Sequence, residues 1–138
     1  MERQTPMRRP ALPLIFACVA LYAPTRANAS INPSAPACDR VAATALKVGW
    51  PATELGNLRR IAARESSCNP LALNPLDPTI YGSRGTMQIN GSNVRWLVTR
   101  GIIRNADDLY NPVRNLRAAL ALWREYGWRP WSGKSHTP

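Results

Sequence analysis

Glu65 is the residue whose surroundings suggest chemistry. With Leu55, Leu58, Ile61 and Ala62 it falls at three-and-four spacing, so a helix would place it on an apolar stripe. A carboxylate on a buried face loses hydration, which favours its protonated form and suits it to general-acid work. The same spacing also fits an ordinary last-turn Glu that reaches water or a nearby Arg. Arg59, Arg60 and Arg64 take the opposite, water-facing side. The remaining acids have plainer readings. Asp39 reads as a helix cap, and Glu54 lies in a first helical turn, where the dipole favours it. Asp107 and Asp108 sit in a turn, and Glu125 on a helix surface. Asp77, in the loop after the Glu65 helix, is the one conceivable second carboxylate.

Other chemistries lack their residues. The single His, His136, lies in the tail, so neither a Ser-His pair nor a metal site with His/Cys spacing is expected. There is no Gly-rich phosphate loop, and no cofactor is expected. The Arg residues are spread over several helices rather than one recognition element, which argues against nucleic acid.

The elements that must position Glu65 are mainly helical. A loose lead-in over 30–37 precedes a helix capped by Asp39 and running to about Gly49, with Val41, Ala42, Ala45, Leu46 and Val48 apolar. Gly49-Trp50-Pro51 breaks it, and a second helix follows over 52–66. The two would form an antiparallel hairpin with Cys38 and Cys68 at the same end. The loop over 71–83 tucks Leu73, Leu76 and Ile80 beneath it, and 86–90 alternates as a short extended wall. Ser92 or Asn93 caps a third helix to about Arg100, with Val94, Leu97 and Val98 inward. Asn111-Pro112 starts the last helix. It runs to Tyr126 with Val113, Leu116, Ala119, Leu120, Trp123 and Tyr126 as its inward positions, and Gly127 ends it. The expectation is one domain over 38–131, mainly α, with an extended wall lining a cleft and a short tail over 132–138.

The chain carries 18 Lys and Arg against 8 Asp and Glu, a net charge of +10. That balance suits an anionic partner: nucleic acid, an acidic membrane surface or an anionic cell wall. Arg3, Arg8 and Arg9 precede an apolar run over 11–23 and the small-x-small site Ala27-Asn28-Ala29, the layout of a signal peptide over 1–29. The run is too short for a stable membrane span, so export is expected. Cleavage after Ala29 would leave 14 basic and 7 acidic residues and two cysteines, Cys38 and Cys68. Two cysteines in an exported chain suggest one disulfide, and their placement on the hairpin supports it independently.

Glu65-Ser66, Asn69-Pro70, Ala72-x-Asn74 and Gly85-x-Met87-Gln88-Ile89-Asn90 together resemble the soluble lytic transglycosylases. These are peptidoglycan-cleaving enzymes of the lysozyme-like superfamily. Gly101-Ile102, Leu109, Pro112 and Asn115-Leu116 also resemble its small exported members, including those serving secretion and conjugation systems. The resemblance covers about 41–131. It implies a lysozyme-like fold (mainly α, α+β), a periplasmic or secreted location, and peptidoglycan glycan strands as partner. A secretion or conjugation apparatus is a further candidate partner, and the chain reads as a monomer.

By the same resemblance, Glu65 matches the single catalytic acid, whose work needs a pKa raised toward neutrality by burial, so the buried setting of Glu65 is the one expected. Glu65 would protonate the glycosidic oxygen between N-acetylmuramic acid and N-acetylglucosamine. Acting next as base, it would help the muramoyl 6-hydroxyl close on C1, leaving a 1,6-anhydro end; the acetamido group would steady the positive charge. Gln88 and the Met87 backbone match positions that line the sugar site, flanked by Tyr81, Ser83 and Asn90. Ser66 would orient Glu65 or cap locally. Two departures stand out. Thr86 replaces the usual Leu, and the late Ala-Tyr-Asn-Ala-Gly element is missing. Tyr110 or Tyr126 could stand for its tyrosine, or neither. Trp96, Trp128 and Trp131 are open between sugar stacking and core packing, whereas Trp123 reads as core.

Animal-type lysozymes place an Asp two residues before the Gly of this stretch, where this chain has Ser83. A retaining glycosidase needs a second carboxylate roughly 5 Å from the first, so Ser83 favours the one-acid transglycosylase route. Asp77 keeps lysozyme-type hydrolysis open. A non-catalytic wall-binding module and a charge-driven membrane-active protein are the readings from other classes.

Overall fold

The computed structural model describes residues 35–76 and 81–133. The expected signal peptide, Asp77, Ile80 and His136 lie outside the described residues. Helix α1 (Ala35–Lys47) has Pro36 in its first turn, where a missing N–H costs nothing. It begins before Asp39, which is therefore not the cap. Asp39 instead accepts a hydrogen bond from Arg59 across the helix pair at 2.5 Å. Cys38, Val41 and Ala45 face the core, while Leu46 is exposed.

A single 3-10 turn over Ala52–Glu54 leads into α2 (Leu55–Ser66), which buries Leu58, Ile61 and Ala62. This helix ends without a glycine. Ser67 and Cys68 both adopt left-handed backbone, with φ of 53° and 61°, and their N–H groups donate to Ala63 and Ala62. That pattern satisfies last-turn carbonyls that would otherwise be orphaned. The left-handed conformation costs a non-glycine residue about 1–2 kcal/mol, and the Cys38–Cys68 disulfide, with a Cα–Cα distance of 5.3 Å, pins the strained turn to α1.

The extended wall is larger than the sequence suggests. Strands β1 (Leu73–Asn74), β2 (Ser83–Arg84) and β3 (Ile89–Asn90) form an antiparallel sheet in the order β1-β2-β3. Leu73, Asn74 and Ser83 therefore spend their backbone on sheet pairing. Leu73 and Leu76 are exposed instead of tucked, Leu76 by 90%. A 3-10 turn (Gly91–Asn93) then enters α3 (Val94–Thr99), and the cap is Asn90, whose Oδ1 accepts from Ser92 N–H at 2.8 Å. Six residues offer too short an inward stripe to include Val98, which is exposed.

Asn105 caps a 3-10 turn over Ala106–Tyr110. Asn111 caps α4 (Pro112–Tyr126) by accepting from Val113 and Arg114 N–H. This helix is central: Leu116, Ala118, Ala119, Leu120 and Leu122 are all buried. Val113 and Tyr126, at its two ends, are exposed. Trp50, Trp123, Trp128 and Trp131 form a run of ring contacts with centroids 5.4–6.2 Å apart. Trp50 donates from its indole to Leu116 C=O at 3.0 Å, which ties the α1–α2 connection to α4.

Asp108 is buried beside two guanidinium groups. Hydrogen bonds from the Arg104 side chain and backbone N–H, with the charges of Arg104 and Arg114, hold its carboxyl down to about 2 against the opposing effect of burial. A carboxylate whose pKa is lower folded than unfolded stabilises fully above its unfolded value of about 3.9, and that contribution fades as pH falls toward the folded value. Asp108→Asn should therefore lower the urea midpoint at pH 6, and the gap to wild type should shrink steadily between pH 4 and pH 2. Reducing the Cys38–Cys68 bond should cost about 3–4 kcal/mol in the chain-entropy picture, read as a shift of the denaturant midpoint with and without reductant.

Candidate functional site

Glu65 lies in the last turn of α2, and its side chain is 26% exposed rather than sunk in the apolar stripe. Its Oε1 accepts from Arg64 Nε at 3.0 Å and Arg64 Nη2 at 2.6 Å. Arg64 does not simply face water. Its long stem wraps toward Glu65, and Nη2 also donates to Trp131 C=O at 2.5 Å. Of the two readings of Glu65, the acid that reaches a nearby Arg is the one realised.

Glu65 opens onto a cleft of about 500 Å³. Ala72, Leu73, Asn74, Ser83, Gln88 and Asn90 line its sheet side, and Pro130 and Trp131 close another edge. The sheet register explains the chemistry of that wall. Asn74 pairs with Ser83, and Ser83 pairs with Asn90. Residues directly opposite each other on antiparallel strands share a face, so these three polar side chains form one row across the sheet. Among the described lining residues, Glu65 is the one carboxylate. Among the described residues no group of three or more His, Cys, Asp and Glu could hold a metal ion.

The wall is held from behind by Asn115, which the sequence reading did not single out as a site residue. Its side chain is fully buried on α4. Nδ2 donates to Arg84 C=O at 3.0 Å and Leu109 C=O at 2.9 Å, and Oδ1 accepts from Met87 N–H at 2.9 Å. Gly85 makes this possible. Its φ is +75°, and a Cβ there would meet Leu109 O at 2.1 Å and Asn115 Nδ2 at 2.3 Å. Gln88, at φ 46°, donates from its amide to Gly85 and Ala72 C=O. Ser66 donates its hydroxyl to Thr86 C=O at 2.7 Å, so it ties α2 to the wall rather than orienting Glu65.

The other expected contacts scatter. Ser83, Gln88 and Asn90 are brought to the cleft with Glu65. Met87 is not: its side chain is fully buried, its N–H serves Asn115, and its carbonyl accepts from Trp131 Nε1 at 2.8 Å. Tyr81 is exposed and is not among the residues that line the cleft. Tyr110 lies beneath the Arg84 guanidinium, 5.3 Å from its ring centroid. Trp128 stacks on Trp50 and donates to Glu54 at 2.9 Å, outside the cleft. Trp131 lines the cleft although it is nearly buried, so packing and cleft wall are one role. Trp96 carries the Arg100 guanidinium over its ring at 3.9 Å. Asn74 joins the site through strand register, and nothing in the local pattern marks β1 as a strand.

Two substitutions separate support from strain in this wall. Asn115→Ala should cost about 3 kcal/mol, because it strands three buried backbone groups. Among the described residues Thr86 Oγ1 is buried without a hydrogen-bond partner, so Thr86→Val should stabilise by about 1 kcal/mol. Both are read from denaturant unfolding curves.

The family model described as "Transglycosylase SLT domain" matches residues 51–127. The match contains α2 with Glu65, all three strands, α3 and α4, whereas α1 and Trp131 lie outside it. No curated protein and no solved structure matches the chain. With more than half of its length under that match, and with a mainly helical lysozyme-like fold, the chain belongs to the transglycosylase SLT domain family of peptidoglycan-acting proteins.

Proposed function

We propose that this protein is an exported lytic transglycosylase that cleaves the MurNAc-β-1,4-GlcNAc bond of peptidoglycan and leaves a 1,6-anhydroMurNAc end. The observation that carries the proposal is a cleft in which, among the described residues, one carboxylate faces a row of neutral hydrogen-bonding side chains. Sugar hydroxyls and acetamido groups need such a neutral polar wall, which Asn74, Ser83, Gln88 and Asn90 supply. The signal-peptide pattern over 1–29 and the net charge of +10 suit an exported protein on an anionic wall.

Glu65 acts twice. Arg64 occupies Oε1, which leaves Oε2 to pass a proton to the glycosidic oxygen. The C1–O bond then breaks, and N-acetylglucosamine leaves as an alcohol. The ionised carboxylate next takes the proton of the muramoyl 6-hydroxyl as that oxygen bonds to C1. The proton returns to Glu65 and no water is consumed. A hydrolytic retaining route needs a second carboxylate about 5 Å away; Ser83 stands where animal-type lysozymes carry it, and it is buried on β2.

Glu65→Gln keeps the shape and removes the proton. Cleavage of purified sacculi should fall by a factor of about 10²–10⁴, the usual contribution of a general acid, while binding to sacculi is retained. Unchanged cleavage would exclude Glu65 as the acid. Mass spectrometry of muropeptides released by the wild type should find anhydromuramoyl ends; reducing ends would assign lysozyme-type hydrolysis instead.

A further inference from the structure

A second hollow, of about 310 Å³, shares Trp131 with the Glu65 cleft. Asn57, Arg60 and Arg64 of α2 form one of its walls, and Trp128 and Trp131 form the other. Arg60 donates from Nη2 to Asn57 Oδ1 at 3.3 Å, a neutral partner. Among the described residues, no carboxylate pairs with it. Trp128 is held in place by its bond to Glu54. The hollow thus combines an arginine whose charge no described carboxylate neutralises, a second arginine beside Glu65, and two fixed indoles.

A neutral glycan can accept hydrogen bonds from a guanidinium but gives the charge of Arg60 no partner. Guanidinium forks suit carboxylates, and indole faces cover aliphatic side chains. In peptidoglycan the carboxylates are on the peptide stems, which leave the muramoyl sugars. We propose that this hollow binds a stem-peptide carboxylate through Arg60, with Trp128 covering the adjoining aliphatic part, and so seats a stem-bearing muramoyl residue beside Glu65. The inference rests on the peptidoglycan reading. Its geometric basis is adjacency: Arg64 and Glu65 are consecutive, and Trp131 lines both hollows. A stem leaving the sugar at Glu65 needs to run only a few residues, at about 3.3–3.6 Å each, to enter the second hollow.

The test measures binding in the Glu65→Gln background, so that no strand is cut. Two probes are compared: glycan strands carrying their peptide stems, and the same strands stripped of stems by an amidase. Stem-bearing strands should bind about three- to five-fold more tightly, the scale of an exposed charge pair. Adding Arg60→Gln should abolish that preference, and Arg60→Lys should retain part of it. Arg117→Gln, an equal loss of charge at an exposed position on α4, should leave the preference intact. Equal binding of both probes, or a preference that survives Arg60→Gln, would overturn the stem-peptide assignment while leaving the peptidoglycan reading standing. Failure to bind either probe would overturn both.

Discussion

The carboxamide of Asn115 satisfies three backbone groups of two separate segments from a single buried position on α4. The segment from Arg84 to Met87 has to turn sharply between β2 and β3, and it does so pressed against the helical core. Beyond Arg84 the chain leaves the sheet ladder, so the Met87 N–H needs a partner outside it, and a buried unpaired peptide group is costly. A side chain carrying both a donor and an acceptor at a fixed spacing meets that need. Gly85 is the complementary requirement, since any Cβ would occupy the space that the carboxamide fills. Helix and wall are therefore specified together.

From that anchor a continuous series of contacts reaches the acid. Met87, tied to Asn115 through its N–H, accepts from the Trp131 indole through its carbonyl. Trp131 in turn accepts from Arg64, which holds Oε1 of Glu65. On the opposite edge, Ser66 binds the carbonyl of Thr86, so α2 grips the wall directly as well. The aromatic run serves the same end. Each indole that meets another ring also directs its N–H at a named acceptor or packs within the core, and the rings gain geometry-specific attraction in addition to burial. The described walls of the cleft are thus bonded directly to the core.

The charge distribution has two components that do different work. Asp108 is enclosed by Arg104 and Arg114 and serves to fix the turn before α4. Arg59 and Arg84 are likewise paired with Asp39 and Asp107. Of the positive excess among the described residues, Arg60, Arg117 and Arg129 are exposed and in no ion pair, and the pull of such charges weakens with salt over about a Debye length. The hollow beside Trp131 is a local concentration of that excess next to the proposed reacting bond.

Much of the helical frame can be read from the residues in order. The Asn111-Pro112 start and Gly127 stop bracket α4 where the structure has it, and Gly49-Trp50-Pro51 separates the first two helices. The cysteines at one end of a hairpin imply the disulfide that is present. Errors cluster where tertiary contacts override a local signal. Asp39 has the chemistry of a cap but is used in an interhelical ion pair, and Leu73 on the edge strand and Leu76 in the turn after it have core character yet are exposed. The polar row Asn74–Ser83–Asn90 depends on register, which joins residues 16 positions apart and leaves no periodic trace in any one segment.

By itself, then, the sequence determined the helices, the single disulfide, and the acid with the polar motif that faces it, because propensity, capping and spacing act within a few residues. Only the tertiary structure decided the setting of that acid. Glu65 lies on an apolar stripe by periodicity, yet it is partly exposed and bound by Arg64, because the carbonyl of Trp131, 67 residues further on, holds the guanidinium in place. A long side chain is directed by whichever distant acceptor the fold presents to it, and local spacing contains no record of that acceptor.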